Sequence, residues 1–349
     1  MGSIINHHTS ADVYYMSLAI SEAKKGCFTT RPNPNVGCVI VKNNLIIGRG
    51  FHPKAGLPHA EVYALKDAQD QGHDVTGATV YVTLEPCSHV GRTPPCADAL
   101  IKSGIARVVI ACMDANLLVC GNGVKKLVDA GIDVSVGVCQ EEAYALNVGF
   151  LTAMKRGRPY VRLKMAMSLD GRIAMQGGES QWITGDDARE DVQRLRARSG
   201  AIITGSGTVI ADNPSLNVRS ATLGLDLSSF SQPRIVIVDR RNRLGRGDYK
   251  VLQREDTLIW RKDLHELLRW LHHDQCYDVL IEAGGRLAGA FIEEDLVDEL
   301  VIYQAPCVLG VKTHAAFEMC LTQLSEQKRF RLVSHERLGM DLKLVLVRS

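Results

Sequence analysis

The sequence predicts an α/β protein in two domains, residues 1–150 and 158–349. Three observations lead there. Short apolar runs bounded by turn residues alternate with amphipathic helical stripes, the pattern of layered α/β domains. A chain of 349 residues is more than one hydrophobic core usually organises. Between Gly149 and Pro159 the alternation stops at a polar, basic stretch, Lys155-Arg156-Gly157-Arg158-Pro159, broken by Gly and Pro, and then restarts.

Each element has its own signal. Apolar residues at Val13, Met16, Ala19, Ile20 and Ala23 make a helical stripe from Asp12 to Lys25, closed by Gly26. Val36–Val41 is an unbroken apolar strand, paired with 45–48 across Asn43-Asn44. The next helix is expected from His59 to Gln71. A strand over 78–84 delivers Glu85-Pro86-Cys87, and a helix over 95–103 starts at Cys96. Strand 107–111, helix 123–130 and strand 132–136 complete the first half. In the second half the expected strands are 160–167, 201–204, 234–238, 258–260, 279–282, 299–304 and 342–347. Helices are expected over 187–199 and 264–272. The Ser-rich stretch 220–232 reads as a loop.

Composition narrows the function. The chain is 46% hydrophobic and 23% charged, with a formal net charge of only +2. That leaves no basic stripe for nucleic acid and no polybasic membrane patch. Ten cysteines at irregular spacings suggest a reducing, cytoplasmic setting rather than a disulfide framework. No apolar run approaches membrane-spanning length, and Met1 to Ser10 reads as a polar lead-in without a signal peptide.

The chemistry concentrates between His59 and Cys96. His59-Ala60-Glu61 is followed by Pro86-Cys87 and, eight residues later, by Cys96. One imidazole and two thiolates are three zinc ligands, which leaves a fourth position for water, the catalytic arrangement. Zinc lowers the pKa of such a water towards about 7. Glu61 is close enough to shuttle its protons without being a ligand. This is the H-x-E…P-C…C signature of zinc deaminases. The usual spacing between the cysteines is two residues, so the insert from Ser88 to Pro95 is a departure. His89 inside it could compete as a ligand, but Gly91, Pro94 and Pro95 favour a substrate loop. A helix start at Cys96 would favour its thiolate.

Two glycine-bearing stretches in the second half suit a nucleotide. Thr204-Gly205-Ser206-Gly207-Thr208 and Glu282-Ala283-Gly284-Gly285 each follow a strand, where backbone amides can approach phosphate. Neither is a G-x-G-x-x-G fingerprint, and either alone could be an ordinary tight turn.

Arg31-Pro32-Asn33-Pro34-Asn35-Val36-Gly37, His59-Ala60-Glu61 and Thr83-Leu84-Glu85-Pro86-Cys87-Ser88-His89 through Pro95-Cys96 resemble the bacterial bifunctional riboflavin biosynthesis proteins. Leu163-Lys164, Ser168-Leu169-Asp170-Gly171, Gln181-Trp182-Ile183-Thr184, Ala211-Asp212-Asn213-Pro214 and the Gly284 stretch resemble their reductase half, in order. The likeness spans nearly the whole chain and includes the eight-residue cysteine spacing.

The resemblance implies a cytidine-deaminase-like three-layer domain followed by a dihydrofolate-reductase-like domain. The first would use zinc to deaminate 2,5-diamino-6-(5-phosphoribosylamino)-4-pyrimidinone. The second would use NADPH to reduce the ribosyl group of 5-amino-6-(5-phosphoribosylamino)uracil to ribityl. It implies small-molecule partners, a homo-oligomer, and neither nucleic acid nor membrane. By matching position, Asn33, His52 and Arg92 are implied deaminase substrate contacts. Ser180, Arg196, Leu216, Arg219 and Glu282 are the reductase counterparts. Ala166, Trp182, Thr208, Asp212, Gly284, Gly285, Arg286, Leu287, Ala288, Gly289 and Ala290 form the implied NADPH site. Lys164 is the residue suspected of helping proton transfer to the sugar.

Plainer readings stand beside these. Arg196 and Arg219 suit a phosphate but could be solvated surface. Trp182 could be core rather than a cofactor wall, and Asp170-Gly171 reads best as a turn pair. Two departures from the family pattern are the loop Asp114–Gly121, which lacks expected prolines, and Arg240, which stands where Ser or Thr is common. Two other functions fit less well. A tRNA-editing deaminase conflicts with the near-neutral charge, and a purely structural zinc site has no use for Glu61.

Overall fold

Asn43 and Asn44 both hold left-handed backbone, φ 53° and 63°, the geometry of a tight two-residue hairpin. They join β2 (Gly37–Lys42) to β3 (Leu45–Phe51). In the computed structural model, residues 2–5, 8–88, 94–115, 120–245 and 247–348 are described. The chain divides into two units, Met1–Arg156 and Gly157–Ser349.

The first unit adds β1 (Ile4–Ile5), α1 (Ser10–Lys24), α2 (Ala60–Asp70), β4 (Thr79–Leu84), α3 (Cys96–Lys102), β5 (Arg107–Cys112), α4 (Asn122–Asp129), β6 (Asp133–Val136), α5 (Gln140–Leu146) and α6 (Val148–Arg156). Its six strands run in the order β1-β6-β5-β4-β2-β3. The strands from β4 to β1 are parallel, and β2 runs antiparallel to both of its neighbours. The central strands are buried on both faces, which is why they read as unbroken apolar runs. Ala60, Ala64, Leu100 and Leu127 from α2, α3 and α4 pack on one face. Met16, Ala19, Ala143 and Leu151 from α1, α5 and α6 pack on the other. The result is three layers. Gly50 lets α2 sit close on the sheet: a Cβ there would stand 2.4 Å from the Ala60 carbonyl oxygen.

The stretch read as a join is partly helical. α6 continues to Arg156 with Leu151 and Ala153 buried, and Lys155 and Arg156 are its last turn, where cations suit the helix dipole. Its basic end hid its apolar face from the sequence pattern.

The second unit comprises β7 (Tyr160–Met167), β8 (Arg172–Met175), α7 (Asp186–Arg198), β9 (Ala201–Gly205), α8 (Ser206–Asp212), β10 (Arg234–Val238), β11 (Leu258–Trp260), α9 (Leu264–His273), β12 (Asp278–Glu282), α10 (Gly285–Glu293), β13 (Glu299–Gln304), β14 (Thr313–Ala315), β15 (Phe330–Leu338) and β16 (Asp341–Arg348). Eight strands form one sheet, β11-β10-β9-β12-β7-β13-β16-β15, and β14 pairs with β8 in a small ribbon. β11 through β13 are parallel, and β16 and β15 close the edge antiparallel. Leu267, Leu271 and Phe291 from α9 and α10 cover one face, and Val192, Leu195 and Val209 from α7 and α8 cover the other.

Ser206-Gly207-Thr208, which follows β9, forms the first turn of α8. β15 was not anticipated: most of its nine residues are exposed, so it has no buried face to show as alternation and exists by pairing with β16. Asp170 does act as a turn residue. Its carboxylate accepts from Ser168 Oγ at 2.6 Å and from the Leu309 and Gly310 amides at 3.1 and 2.8 Å.

Candidate active sites

His59 is the residue before the first turn of α2, and Cys96 opens α3. Cys87 follows β4 by three residues. These neighbouring elements bring the His59, Cys87 and Cys96 ligand atoms within 4.8 Å of one another. His59 Nδ1 lies 3.2 Å from Cys96 Sγ and 3.6 Å from Cys87 Sγ. A hydrogen bond from the Cys96 thiol holds the Cys87 pKa well below the usual thiol range, outweighing burial, and the Cys96 amide adds a bond at 3.3 Å.

Glu61 is buried beside this set, and burial raises its pKa against the pull of His59. Its Oε2 has no hydrogen-bond partner among the described residues. A buried carboxylate oxygen rarely stays unpaired without a functional reason. One imidazole nitrogen, two sulfurs and an orphan carboxylate oxygen therefore fit a tetrahedral zinc with an open position.

Asn33 and His52 stand next to the set. Asn33 Nδ2 is 3.0 Å from His52 Nε2, the other His52 nitrogen is 3.0 Å from the Pro58 carbonyl, and the His52 ring meets the His59 ring edge-on at 5.2 Å. Arg92 and His89 lie outside the described residues. The sequence reading missed Glu85. Its buried carboxylate accepts the amides of Gly123 at 2.9 Å, Gly121 at 3.1 Å, Val124 at 3.2 Å and Asp114 at 3.3 Å. It thereby ties the loop before α4 to the residue two places from Cys87. Its position in Leu84-Glu85-Pro86-Cys87 was the available signal.

The second unit carries a cleft of about 1190 Å³ at the carboxyl ends of β7, β9, β10 and β12, where open parallel sheets bind ligands. Lys164 and Glu282 are register partners on β7 and β12. Glu282 is gripped by Arg196, Nε to Oε1 at 2.6 Å and Nη2 to Oε2 at 3.0 Å. Burial opposes ionisation of Glu282, but Arg196 outweighs it and the pKa falls. Lys164 is pushed down by burial, with Glu282 partly restoring it. Arg196 is buried, so the solvated-surface reading is wrong for it. Arg219 is exposed, 3.3 Å from the Asn217 side-chain oxygen. Leu216, buried at 4% exposure, holds left-handed backbone at φ 47°, a strained state that clusters at binding sites.

Ala166, Ser180, Trp182, Thr208, Asp212, Gly284, Gly285, Arg286, Leu287 and Ala290 all line the same cleft. Thr208 Oγ1 accepts the Gly284 amide at 3.2 Å, joining the two glycine stretches. Trp182 is 65% exposed, with the Arg189 guanidinium 4.5 Å over its ring, so it is not core. Burial raises the Asp212 pKa. Two implied cofactor residues are placed elsewhere. Ala288 is fully buried in the core, and Gly289 packs against the Glu318 carbonyl. A helix turns only part of its surface to one side.

Together the sites define a zinc-dependent deaminase fused to a dinucleotide-dependent reductase. The Escherichia coli riboflavin biosynthesis protein RibD is 45% identical over 96% of this chain and 99% of its own. The chain belongs to the RibD family, the bifunctional deaminase–reductases of riboflavin biosynthesis. Residues 159–344 match the RibD C-terminal domain, and residues 9–112 match the cytidine and deoxycytidylate deaminase zinc-binding region. The solved structure of Acinetobacter baumannii RibD superposes with TM-score 0.91 at 50% identity, covering 97% of this chain and 99% of that one. A Thermotoga maritima diaminohydroxyphosphoribosylaminopyrimidine deaminase/5-amino-6-(5-phosphoribosylamino)uracil reductase gives TM-score 0.88 at 36% identity, covering 98% and 100%. The cofactors are zinc and NADPH. No helix among the described residues is long and apolar enough to cross a membrane.

Proposed function

We propose that residues 1–150 deaminate 2,5-diamino-6-(5-phosphoribosylamino)-4-pyrimidinone and that residues 158–349 reduce the ribosyl group of the resulting uracil to ribityl. The observation that carries the first half is the convergence of His59, Cys87 and Cys96 on one point beside the unpaired Glu61 oxygen. His59, Cys87 and Cys96 hold zinc, which supplies Lewis-acid activation of water at neutral pH. Glu61 takes one proton from the attacking water and passes it to the ring nitrogen, then carries the remaining hydroxyl proton to the amine, which leaves as ammonia when its C–N bond breaks. Asn33 and His52, whose polar atoms already face each other, orient the pyrimidine, and Arg92 takes its phosphate.

In the second half, NADPH supplies the hydride. Ala166, Trp182, Thr208, Asp212, Gly284, Gly285, Arg286, Leu287 and Ala290 hold it along the strand ends. Arg219 and Arg196 take the substrate phosphate side, with Ser180 and Leu216 shaping the pocket. Lys164 delivers a proton to the ribose ring oxygen as the sugar opens, and Glu282 keeps the ammonium in place. Incubation with the diaminopyrimidinone phosphate and NADPH tests the whole reading. One ammonia should appear and one NADPH disappear per substrate; NADPH loss without ammonia release would overturn the order.

The setting is cytoplasmic and the assembly a homo-oligomer. Support comes from the β15–β16 edge, where Leu332 and Val333 are 50% and 53% exposed on a nine-residue outer strand. Uncovered edges of this kind invite pairing with another chain. Sedimentation equilibrium giving a monomer mass at micromolar concentration would reject this part.

A further inference from the structure

The deaminase unit carries its two implied pyrimidine contacts outside its helices and strands. Asn33 lies in the loop between α1 and β2, and His52 follows β3. Pro32 and Pro34 flank Asn33. Neither has an N–H to donate, so the main chain there has little hydrogen bonding of its own. One turn bond, from the Asn33 amide to the Thr30 carbonyl at 2.9 Å, is local. A second hold reaches Asn35 from Asn147, 112 positions along the chain.

Asn147 sits buried at the junction of α5 and α6. Its amide donates to the Tyr144 carbonyl at 3.0 Å, and its carbonyl accepts the Leu151 amide at 2.9 Å, so both helices fix its backbone. Its side chain grips the main chain of Asn35. Oδ1 accepts the Asn35 amide at 2.7 Å, and Nδ2 donates to the Asn35 carbonyl at 2.8 Å. A neighbouring strand offers one residue the same donor and acceptor, and a carboxamide supplies both at once. Asn35 answers with its own side chain: Nδ2 donates to the Leu146 carbonyl at 3.1 Å, and Oδ1 accepts the Thr30 hydroxyl at 2.8 Å. The next carbonyl along, that of Val36, accepts the His52 amide at 2.9 Å. Asn35 therefore stands between the two contacts, and fixing it holds Asn33 Nδ2 3.0 Å from His52 Nε2.

We propose that Asn147 is a positioning residue of the deaminase, which sets the Asn33–His52 pair through Asn35 without touching the substrate. The inference rests on the reading above that Asn33 and His52 orient the pyrimidine, and it adds a residue from outside the implied site. A binding loop ordered in the free protein spares the substrate the cost of ordering it. Loss of the Asn147 grip therefore weakens binding more than chemistry, since His59, Glu61 and Cys96 are mounted separately on α2 and α3.

The test is steady-state ammonia release from the full-length protein with the diaminopyrimidinone phosphate, with zinc content measured alongside. Asn147→Asp keeps the shape and the acceptor but loses the donor to the Asn35 carbonyl. It should raise KM about tenfold, the effect of one unmade buried hydrogen bond, and change kcat by less than about threefold. Zinc content should stay at the wild-type level. Asn33→Ala should raise KM as well, and adding Asn147→Asp to it should raise KM by less than about twofold more, because residues acting through one contact are not additive. An unchanged KM in Asn147→Asp, or full additivity with Asn33→Ala, would overturn the proposal. If Asn147→Asp loses zinc, Thr30→Val decides, since it cuts the same loop from its other side: a raised KM with zinc kept supports the proposal, and zinc loss there too overturns it in favour of a purely structural role. An Asn33→Ala variant with wild-type KM would bring down the substrate-contact reading itself, a different result from an Asn147 variant that leaves a working Asn33 undisturbed.

Discussion

Lys164 Nζ lies 3.8 Å from Glu282 Oε2, and the two residues are register partners on adjacent parallel strands. Because Arg196 also holds both Glu282 oxygens, one carboxylate ties two cations at the floor of the cleft. Removing Glu282 would leave Lys164 and Arg196 facing each other.

From this follows the behaviour of Lys164 variants. Lys164→Met should cut NADPH consumption by about a hundredfold or more, the usual contribution of a positioned acid, while ammonia release stays normal. Burial lowers the Lys164 pKa. The protonated donor is present at low pH and lost as pH rises through that lowered value. The alkaline limb of reduction should therefore fall below the ordinary lysine value of 10.5. A pH profile flat to that point would reject Lys164 as the donor.

Zinc content separates binding from chemistry in the other unit. Purified protein should carry about one zinc per chain by elemental analysis, and Cys87→Ala should lose it. Glu61→Gln should keep the metal yet lose about a hundredfold or more in ammonia release, because an amide cannot shuttle protons. The same variant should still reduce the deaminated intermediate when it is supplied directly. Loss of that reduction in a folded protein would show that the two activities are not separable.

Arg162 gives a stability prediction. It is fully buried, pairs with Asp278 at 2.7 Å, and donates to Glu299. Arg162→Met would strand two carboxylates in a poorly solvated place, at a cost of about 3–5 kcal/mol. Denaturant unfolding should show that loss, and a change below about 1 kcal/mol would mean that water reaches the carboxylates.

Acid stability follows from Asp12. Burial opposes its ionisation, but hydrogen bonds from Arg107, Thr9 and Tyr81 win and bring its pKa down to about 2. A depressed carboxylate stabilises above its unfolded pKa, and the contribution fades as pH falls through the folded value. About 2 kcal/mol should thus be present at neutral pH and be lost between about pH 4 and pH 2. Asp12→Asn should remove this slope from the unfolding free energy of the first unit. An unaltered acid limb would show that Asp12 is not what holds α1 to β5 in acid.

The sequence by itself determined the elements whose signal is local. Strands buried on both faces, such as Val36–Val41 and Arg234–Val238, announce themselves as apolar runs. His59, Glu61, Cys87 and Cys96 were legible because metal ligands must be particular residue types near element ends. What only the tertiary structure decided depends on partners distant in the chain. β15 exists through pairing with β16, and α6 buries its apolar face despite a basic end. Arg196 becomes a buried clamp only because Glu282, 86 residues away, reaches it. Ala288 and Gly289 fall off the cleft because a helix shows one side at a time.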